Sequence, residues 1–291
     1  MSTIPAPERA GSYLSLGPAG FHRIAFTDWG EQSGRKATVC VHGLTRNGRD
    51  FDVLANALSA GGRVVCPDMP GRGASDWLAD PSNYTYPFYM QDMAALMAHI
   101  GAERVDWVGT SMGGLIGMML AATPGTPIRR LIINDIGPFL PKEALVRISH
   151  YVGGAPDFPD IEALEKYLRD VHAPFGNLTD EQWRHMASHS ATSNGEGGLR
   201  LHYDPRIAEA FTSGPIEDVE LWQFWDRITC PVMVLRGRNS DLLTDETAQE
   251  MASRGPKAEI VTIDDCGHAP ALMDPAQIKI VCDWLGVSAQ G

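Results

Sequence analysis

Short, nearly continuous apolar runs recur along the chain and alternate with stretches of helical periodicity. Apolar runs without polar alternation are typical of strands buried on both faces of a sheet. The runs that we predict to be such strands are 37–42, 63–67, 105–110, 130–134, 231–236 and 259–263. The helical stretches between them are 52–60, 89–100, 112–122, 245–253 and 275–285. This alternation predicts an α/β fold with a mostly parallel sheet and helices on both faces, to which 21–29 adds an antiparallel edge strand.

One interval, 138–228, breaks the alternation and predicts helices without a convincing buried strand. The helices expected there are 142–152, 161–171, 179–189 and 216–227. We therefore predict an α/β core formed by residues 1–137 and 229–291, with 138–228 inserted as a helical cap. The interval is rich in aromatic residues, and we expect some of them to face inward toward a substrate.

Composition and charge exclude several classes of function. The chain has 291 residues with 24 basic and 36 acidic side chains, a formal charge of −12. This balance opposes nucleic-acid binding, which depends on clustered Lys and Arg. The N-terminus lacks the apolar run of a secretory signal, and no window is long and apolar enough to span a membrane, so a cytoplasmic protein is expected.

The cysteines give no sign of a disulfide framework or a metal site. The chain has five, Cys40, Cys66, Cys230, Cys266 and Cys282, without CxxC spacing. Such an odd set is typical of reduced thiols. We expect neither a metal nor a cofactor.

The strongest local signal is the Gly-x-Ser-x-Gly pattern around Ser111, which directly follows a predicted strand and precedes a predicted helix. Such a turn strains the central residue and exposes its side chain, and the flanking glycines leave room for it. Ser111 is therefore the predicted nucleophile. The amide of Met112, at the helix N-terminus, would face negative charge developing beside Ser111.

A serine nucleophile needs a base and a group that orients the base. His268 follows the last predicted strand in a loop with Gly267, and it is the predicted base. Two aspartates that follow strands compete for the orienting role. We prefer Asp241 because its loop precedes the unit that delivers His268, and Asp135 is the alternative.

A second oxyanion donor is expected in the loop after strand 37–42. Gly43 permits a tight turn that aims the amide of Leu44 at the same point as the amide of Met112. For His42 we prefer a structural role, a buried ring that ties this loop down, over proton transfer.

With these residues in place, the chain resembles the α/β-hydrolase superfamily, in a form with a helical cap. The order Ser111, Asp241, His268 is similar to that family's order of nucleophile, acid and histidine. The motif His42-Gly43 and the segment 68–75 also resemble family loops, and the second of these implies a structural role for Arg72 and Asp68. The resemblance implies an eight-stranded type of sheet.

We predict a cofactor-independent serine hydrolase that cleaves a small carboxylic ester or lactone, without nucleic-acid or membrane partners. One alternative is hydrolysis of a carbon–carbon bond in a ring-cleavage product; Ala269, where such enzymes usually carry tryptophan, weakens it. A non-turnover receptor for a small molecule and a cofactor-free oxygenase are further alternatives on the same fold.

Overall fold

The computed structural model describes residues 4–288, so the first and last three residues of the predicted core lie outside the described residues. A sheet of eight strands forms the centre of the fold. Its strands are β1 (Arg9–Gly17), β2 (Gly20–Trp29), β3 (Lys36–Val41), β4 (Arg63–Pro67), β5 (Arg104–Thr110), β6 (Ile128–Asn134), β12 (Val232–Gly237) and β13 (Glu259–Ile263). The α/β class and the mostly parallel sheet are thereby confirmed.

The strands lie in the order β1-β2-β4-β3-β5-β6-β12-β13. All pairs from β4 to β13 are parallel, whereas β1 and β2 are antiparallel to their neighbours. The carboxyl ends of β3, β5, β6, β12 and β13 therefore meet at one edge of the sheet, where α/β proteins bind ligands.

The prediction of 21–29 as an edge strand is wrong in its position, because β1 pairs with β2 on its outer side. Most side chains of β1 are exposed or half-buried, and only Tyr13 and Ser15 are buried. This mixed strand lacks the continuous apolar run by which the central strands were predicted.

Helices cover both faces of the sheet. The helices of this core are α1 (Asp52–Ser59), α2 (Tyr86–His99), α3 (Met112–Ala121), α9 (Asp245–Ser253) and α10 (Pro275–Trp284). Leu54 of α1 and Val281 of α10 belong to one apolar layer, and Met93 of α2 and Ile116 of α3 belong to the other. Burial of these apolar side chains holds the helices against the sheet and fixes the strand ends that carry the site.

The segment 138–228 lies between β6 and β12 in the chain and adds no strand to the large sheet. Its elements are β7 (Phe139–Leu140), α4 (Lys142–Ser149), β8 (Asp157–Phe158), α5 (Ile161–Val171), α6 (Asp180–Ser190), β9 (Ala191–Ser193), β10 (Leu199–Leu201), α7 (Glu209–Thr212), β11 (Val219–Glu220) and α8 (Trp222–Trp225). Three of its four predicted helices are present.

One expectation for this segment is wrong, and short strands that were not predicted are present. The fourth predicted helix, 216–227, is the strand β11 followed by the single turn of α8. The segment also contains small sheets, ordered β8-β10-β9 and β11-β7. Strands of two or three residues are too short to show an alternation in the sequence.

Within residues 4–288, no helix is both long enough and apolar enough to cross a lipid bilayer.

Candidate active site

Ser111 lies at the turn between β5 and α3, as the strand–turn–helix pattern predicts. Its backbone has φ 51° and ψ −115°, a conformation that non-glycine residues rarely adopt. A Cβ at Gly109 would overlap the backbone of Gly113, and a Cβ at Gly113 would overlap the carbonyl of Val41, so the turn needs both motif glycines. The turn places the Ser111 hydroxyl at the carboxyl edge of the sheet.

His268 meets Ser111 from the loop after β13. Its Nε2 lies 2.9 Å from Oγ of Ser111, and its side chain is only 9% exposed. The preceding residue, Gly267, donates its backbone N–H to the carbonyl of Pro174 in segment 138–228. The predicted nucleophile and base are thus in hydrogen-bond contact.

Asp135, directly after β6, contacts the other ring nitrogen. Its Oδ2 lies 2.8 Å from Nδ1 of His268, and the aspartate is fully buried. A carboxylate only accepts hydrogen bonds, so Nδ1 carries the ring proton and Nε2 is free to accept from Ser111. The three side chains form a hydrogen-bonded chain.

The prediction of Asp241 as the orienting acid is therefore corrected by the geometry. Asp241 is 47% exposed and forms an ion pair with Arg147 of α4, with 2.9 Å between Nη2 and Oδ1. Its loop does reach the predicted sheet edge, but Ser240 takes the inward position. The contact to His268 belongs to the alternative, Asp135.

Two polar side chains that the sequence analysis did not select, Ser240 and Asn134, help to position the hydrogen-bonded side chains of the site. Ser240 donates from Oγ to Oδ2 of Asp135 at 2.6 Å, while the N–H of Gly237 donates to Oδ1 at 2.7 Å. Asn134 donates to the carbonyl of Pro270, two residues after His268. Asn134 is the last residue of β6, whereas Ser240 lies in the loop three residues after β12, so the two share no sequence signal.

Hydrogen bonds from His42 and Arg72 hold the loop that carries Leu44 in place. His42 accepts the N–H of Met69 at Nε2 and donates from Nδ1 to the carbonyl of Gly43. Burial lowers the pKa of His42 to about 3, so the ring is neutral and structural, as expected. Arg72 is fully buried and donates to the carbonyl of Leu44 at 2.8 Å, which confirms its bracing role.

Asp68 braces the same region. Its carboxylate accepts the backbone N–H groups of Gly48 and Ala74, both at 2.8 Å. Burial raises the pKa of Asp68 to about 6, against the effect of these two donors. The structural role that the resemblance implied for Asp68 is consistent with these contacts.

A cavity of about 170 Å³ opens above Ser111, between the sheet edge and segment 138–228. Its lining includes Leu44 and Met112, the two predicted oxyanion residues. Of the aromatic residues of 138–228, the cavity is lined by Tyr151, Phe175 and Phe211. The expectation that some of them face inward is confirmed, and the others pack elsewhere.

His172 also lines this cavity, with its ring stacked on Phe175 at a centroid distance of 4.6 Å. Burial, with nearby Arg46 and His268, lowers the pKa of His172 well below its usual value. The ring is therefore neutral at physiological pH.

A group of possible metal ligands lies where α1 meets α6. One ligand atom each of Asp52, His185 and His189 lie within 4.8 Å of one another. The guanidinium of Arg49 ion-pairs with Asp52 at 2.6 Å and lies 3.3 Å from Nδ1 of His189. Because this cation already neutralises the carboxylate, the group fits an electrostatic contact between segments better than a metal site. No local spacing in the sequence indicates this group, because Asp52 is distant in the chain from both histidines.

Comparison with known proteins agrees with this geometry. The model of the alpha/beta hydrolase family matches residues 38–278. A 3-hydroxybutyrate-oligomer hydrolase of Cupriavidus necator is 46% identical over 285 residues, which cover 95% of this chain and 97% of the relative.

Solved structures also match this chain over nearly its whole length. An alpha/beta hydrolase of Novosphingobium aromaticivorans superposes with a TM-score of 0.86 and 36% identity, covering 97% of this chain and 99% of that one. A protein of Rickettsia typhi superposes with a TM-score of 0.90 and 31% identity, covering 96% of this chain and 99% of that one. Sequence, fold and site geometry lead to one conclusion: this chain is a hydrolase and belongs to the alpha/beta hydrolase family.

Proposed function

We propose that the protein cleaves a carboxylic ester through an acyl-enzyme formed on Ser111. The observation that carries this proposal is the hydrogen-bonded chain from Ser111 through His268 to Asp135. Ser111 Oγ attacks the ester carbonyl while Nε2 of His268 takes its proton. Asp135 holds the ring in the required tautomer and stabilises the imidazolium that forms.

The backbone amides of Leu44 and Met112 are the proposed donors to the oxyanion. Met112 is the first residue of α3, where the helix dipole favours negative charge. Leu44 lies in the loop that Arg72 and His42 hold in place. Both residues line the cavity together with Ser111.

The two half-reactions balance. In the first, the bond from the carbonyl carbon to the alcohol oxygen breaks, and the alcohol leaves with the proton held by His268. In the second, water attacks the acyl-serine, His268 takes a proton from that water, and Ser111 regains its proton as the acid leaves. One water is consumed, and the enzyme returns to its starting state.

We further propose that segment 138–228 is a cap that sets the substrate, and that the substrate class is a short oligoester of a hydroxy acid. The segment supplies Tyr151, His172, Phe175 and Phe211 to the cavity wall. The relative from C. necator is named for hydrolysis of 3-hydroxybutyrate oligomers. Cleavage of a lactone by the same chemistry stays a prediction.

The test uses p-nitrophenyl butyrate and the 3-hydroxybutyrate trimer as substrates. A fluorophosphonate should label Ser111 and abolish turnover of both, and Ser111→Ala should lower kcat on the order of 10⁴- to 10⁶-fold. Labelling at another residue would exclude Ser111 as the nucleophile. Turnover only of a vinylogous diketone would support the carbon–carbon hydrolase, and a single slow turnover would support the receptor.

A further inference from the structure

Arg147 presents a cation to the cavity that also contains Ser111. It lies on α4 and lines the cavity, and its side chain is 41% exposed to solvent. The proposed chemistry on Ser111 makes no use of this charge. The chain has a net charge of −12, so a solvent-accessible cation at the wall of the reaction cavity is opposite in sign to the overall charge.

The partner of Arg147 shows what this guanidinium can bind. Nε and Nη2 of Arg147 donate to the two carboxylate oxygens of Asp241, the Nη2 contact measuring 2.9 Å. This parallel geometry is the preferred way in which arginine binds a carboxylate. Another carboxylate in the same position would keep both hydrogen bonds and the charge pairing.

Exchange of Asp241 for another carboxylate is favoured by solvent exposure. Both partners are more than 40% exposed, at 41% and 47%. Exposed ion pairs are weak, because water solvates the separated charges well. Asp241 released from Arg147 would therefore remain hydrated at the surface.

The other two arginines near the cavity are buried and already bonded to protein groups. Arg46 also lines it, but its side chain is only 4% exposed and is held by Asp50 and by Ser190. Arg72 is fully buried and donates to backbone carbonyls. Among these candidates, Arg147 alone combines solvent access with an exchangeable partner.

We propose that Arg147 binds the free carboxylate end of the substrate, and that Asp241 occupies the guanidinium when no substrate is present. This inference rests on the proposed function. In a hydroxy-acid oligoester the free carboxylate belongs to the alcohol side of the last ester bond. A substrate anchored at Arg147 therefore places its terminal unit as the leaving alcohol, and each turnover releases one hydroxy acid from the carboxylate end.

The experiment compares the 3-hydroxybutyrate dimer and trimer with the same oligomers whose carboxyl is converted to a primary amide. Wild-type protein should hydrolyse the acid with a higher kcat/KM than the amide for at least one of the two lengths. Arg147→Gln should lower that acid-to-amide ratio about tenfold or more, mainly through KM of the acid. Asp241→Asn removes the competing carboxylate and should raise the ratio.

The matched control is Lys142→Gln, on the same helix. Lys142 loses the same charge, is 47% exposed and pairs with Glu217 at 3.8 Å, but it is not part of the cavity lining. This variant should keep the wild-type ratio. A similar fall in Lys142→Gln would mean that general surface charge, and not Arg147, attracts the acid.

The proposal is overturned if acid and amide are hydrolysed equally well at both lengths. It is also overturned if Arg147→Gln and Asp241→Asn shift the ratio in the same direction, because the pair would then act only as a latch between α4 and the core. Failure of the proposed function looks different: p-nitrophenyl butyrate and both oligomers would then resist hydrolysis, or turnover would survive Ser111→Ala.

Discussion

Asp135 Oδ2 lies 2.8 Å from Nδ1 of His268, although the two residues are 133 positions apart in the chain. Asp135→Asn replaces the acceptor with an amide of the same shape and favours the wrong tautomer of the ring. We expect kcat for p-nitrophenyl butyrate to fall by roughly 10⁴-fold with the fold intact. Steady-state kinetics and circular dichroism provide the measurement.

Asp241→Asn is the matched control for this change, because it removes the other aspartate that follows a strand. On the same neutral ester we expect less than about a threefold change, since Asp241 takes part only in an exposed ion pair. If Asp241→Asn were inactive and Asp135→Asn active, the hydrogen-bonded chain described here would not be the catalytic one.

Ser240 is expected to act as a positioning residue through Asp135. Its hydroxyl donates to the carboxylate and also accepts the N–H groups of Leu242 and Leu243. Ser240→Ala should lower kcat about tenfold with little effect on KM, because one hydrogen bond to the carboxylate is lost. Ser240→Thr should restore most of the rate. A purely structural role would lower the melting temperature without changing kcat of the folded fraction.

Gly113 packs α3 against the end of β3. A Cβ at this position would overlap the backbone carbonyl of Val41. We expect Gly113→Ala to lower the free energy of unfolding by about 3 kcal/mol, because a backbone neighbour cannot rotate away. Urea denaturation measures this loss.

The control for that substitution is Gly214→Ala, where nothing lies within 4 Å of the added Cβ. It should change the free energy of unfolding by less than about 0.5 kcal/mol. Equal stability of the two variants would contradict the close approach of α3 to β3.

The lowered pKa of His42 predicts that the protein loses stability in acid. Its pKa in the folded protein is depressed to about 3, below the ordinary value of 6.5, so its contribution is complete above pH 6.5 and is lost as the pH falls toward 3. At pH 4.5 this loss amounts to about 2–3 kcal/mol.

His42→Gln offers similar hydrogen-bonding atoms without the titration. The difference in unfolding free energy between wild type and this variant should shift by about 2–3 kcal/mol in favour of the variant between pH 7.5 and pH 4.5. A constant difference would show that His42 does not remain neutral and buried.

The central strands could be predicted from the sequence because burial on both faces leaves an unbroken apolar run. Strand β6 shows this in Leu131 and Ile133, both fully buried. The outer strand β1 escaped prediction because its exposed Leu14 and Leu16 mix with polar residues and face solvent. The short strands of segment 138–228 depend on their partners and have no local signal.

The site, too, could be predicted only in part from the sequence. Ser111 could be identified because its strain requires glycines at fixed spacing, which the local sequence records. The choice between Asp135 and Asp241 depended on side-chain direction at the ends of two neighbouring strands. Asp135 has φ 57°, and this left-handed turn, which Asp tolerates, belongs to the residue that contacts His268. Nothing in the local sequence reveals that conformation.

The same turn places the acid at the root of the inserted segment. Only Ile136 and Gly137 separate Asp135 from residue 138, and a side chain on Gly137 would crowd Leu243, Met251 and Thr247. This packed junction fixes the backbone between Asp135 and segment 138–228. We therefore expect that segment 138–228 can be exchanged while the hydrogen bonds among Ser111, His268 and Asp135 persist. A chimera that keeps residues 135–137 and carries a relative's insert should hydrolyse p-nitrophenyl butyrate, and loss of that activity in a folded chimera would contradict this modularity.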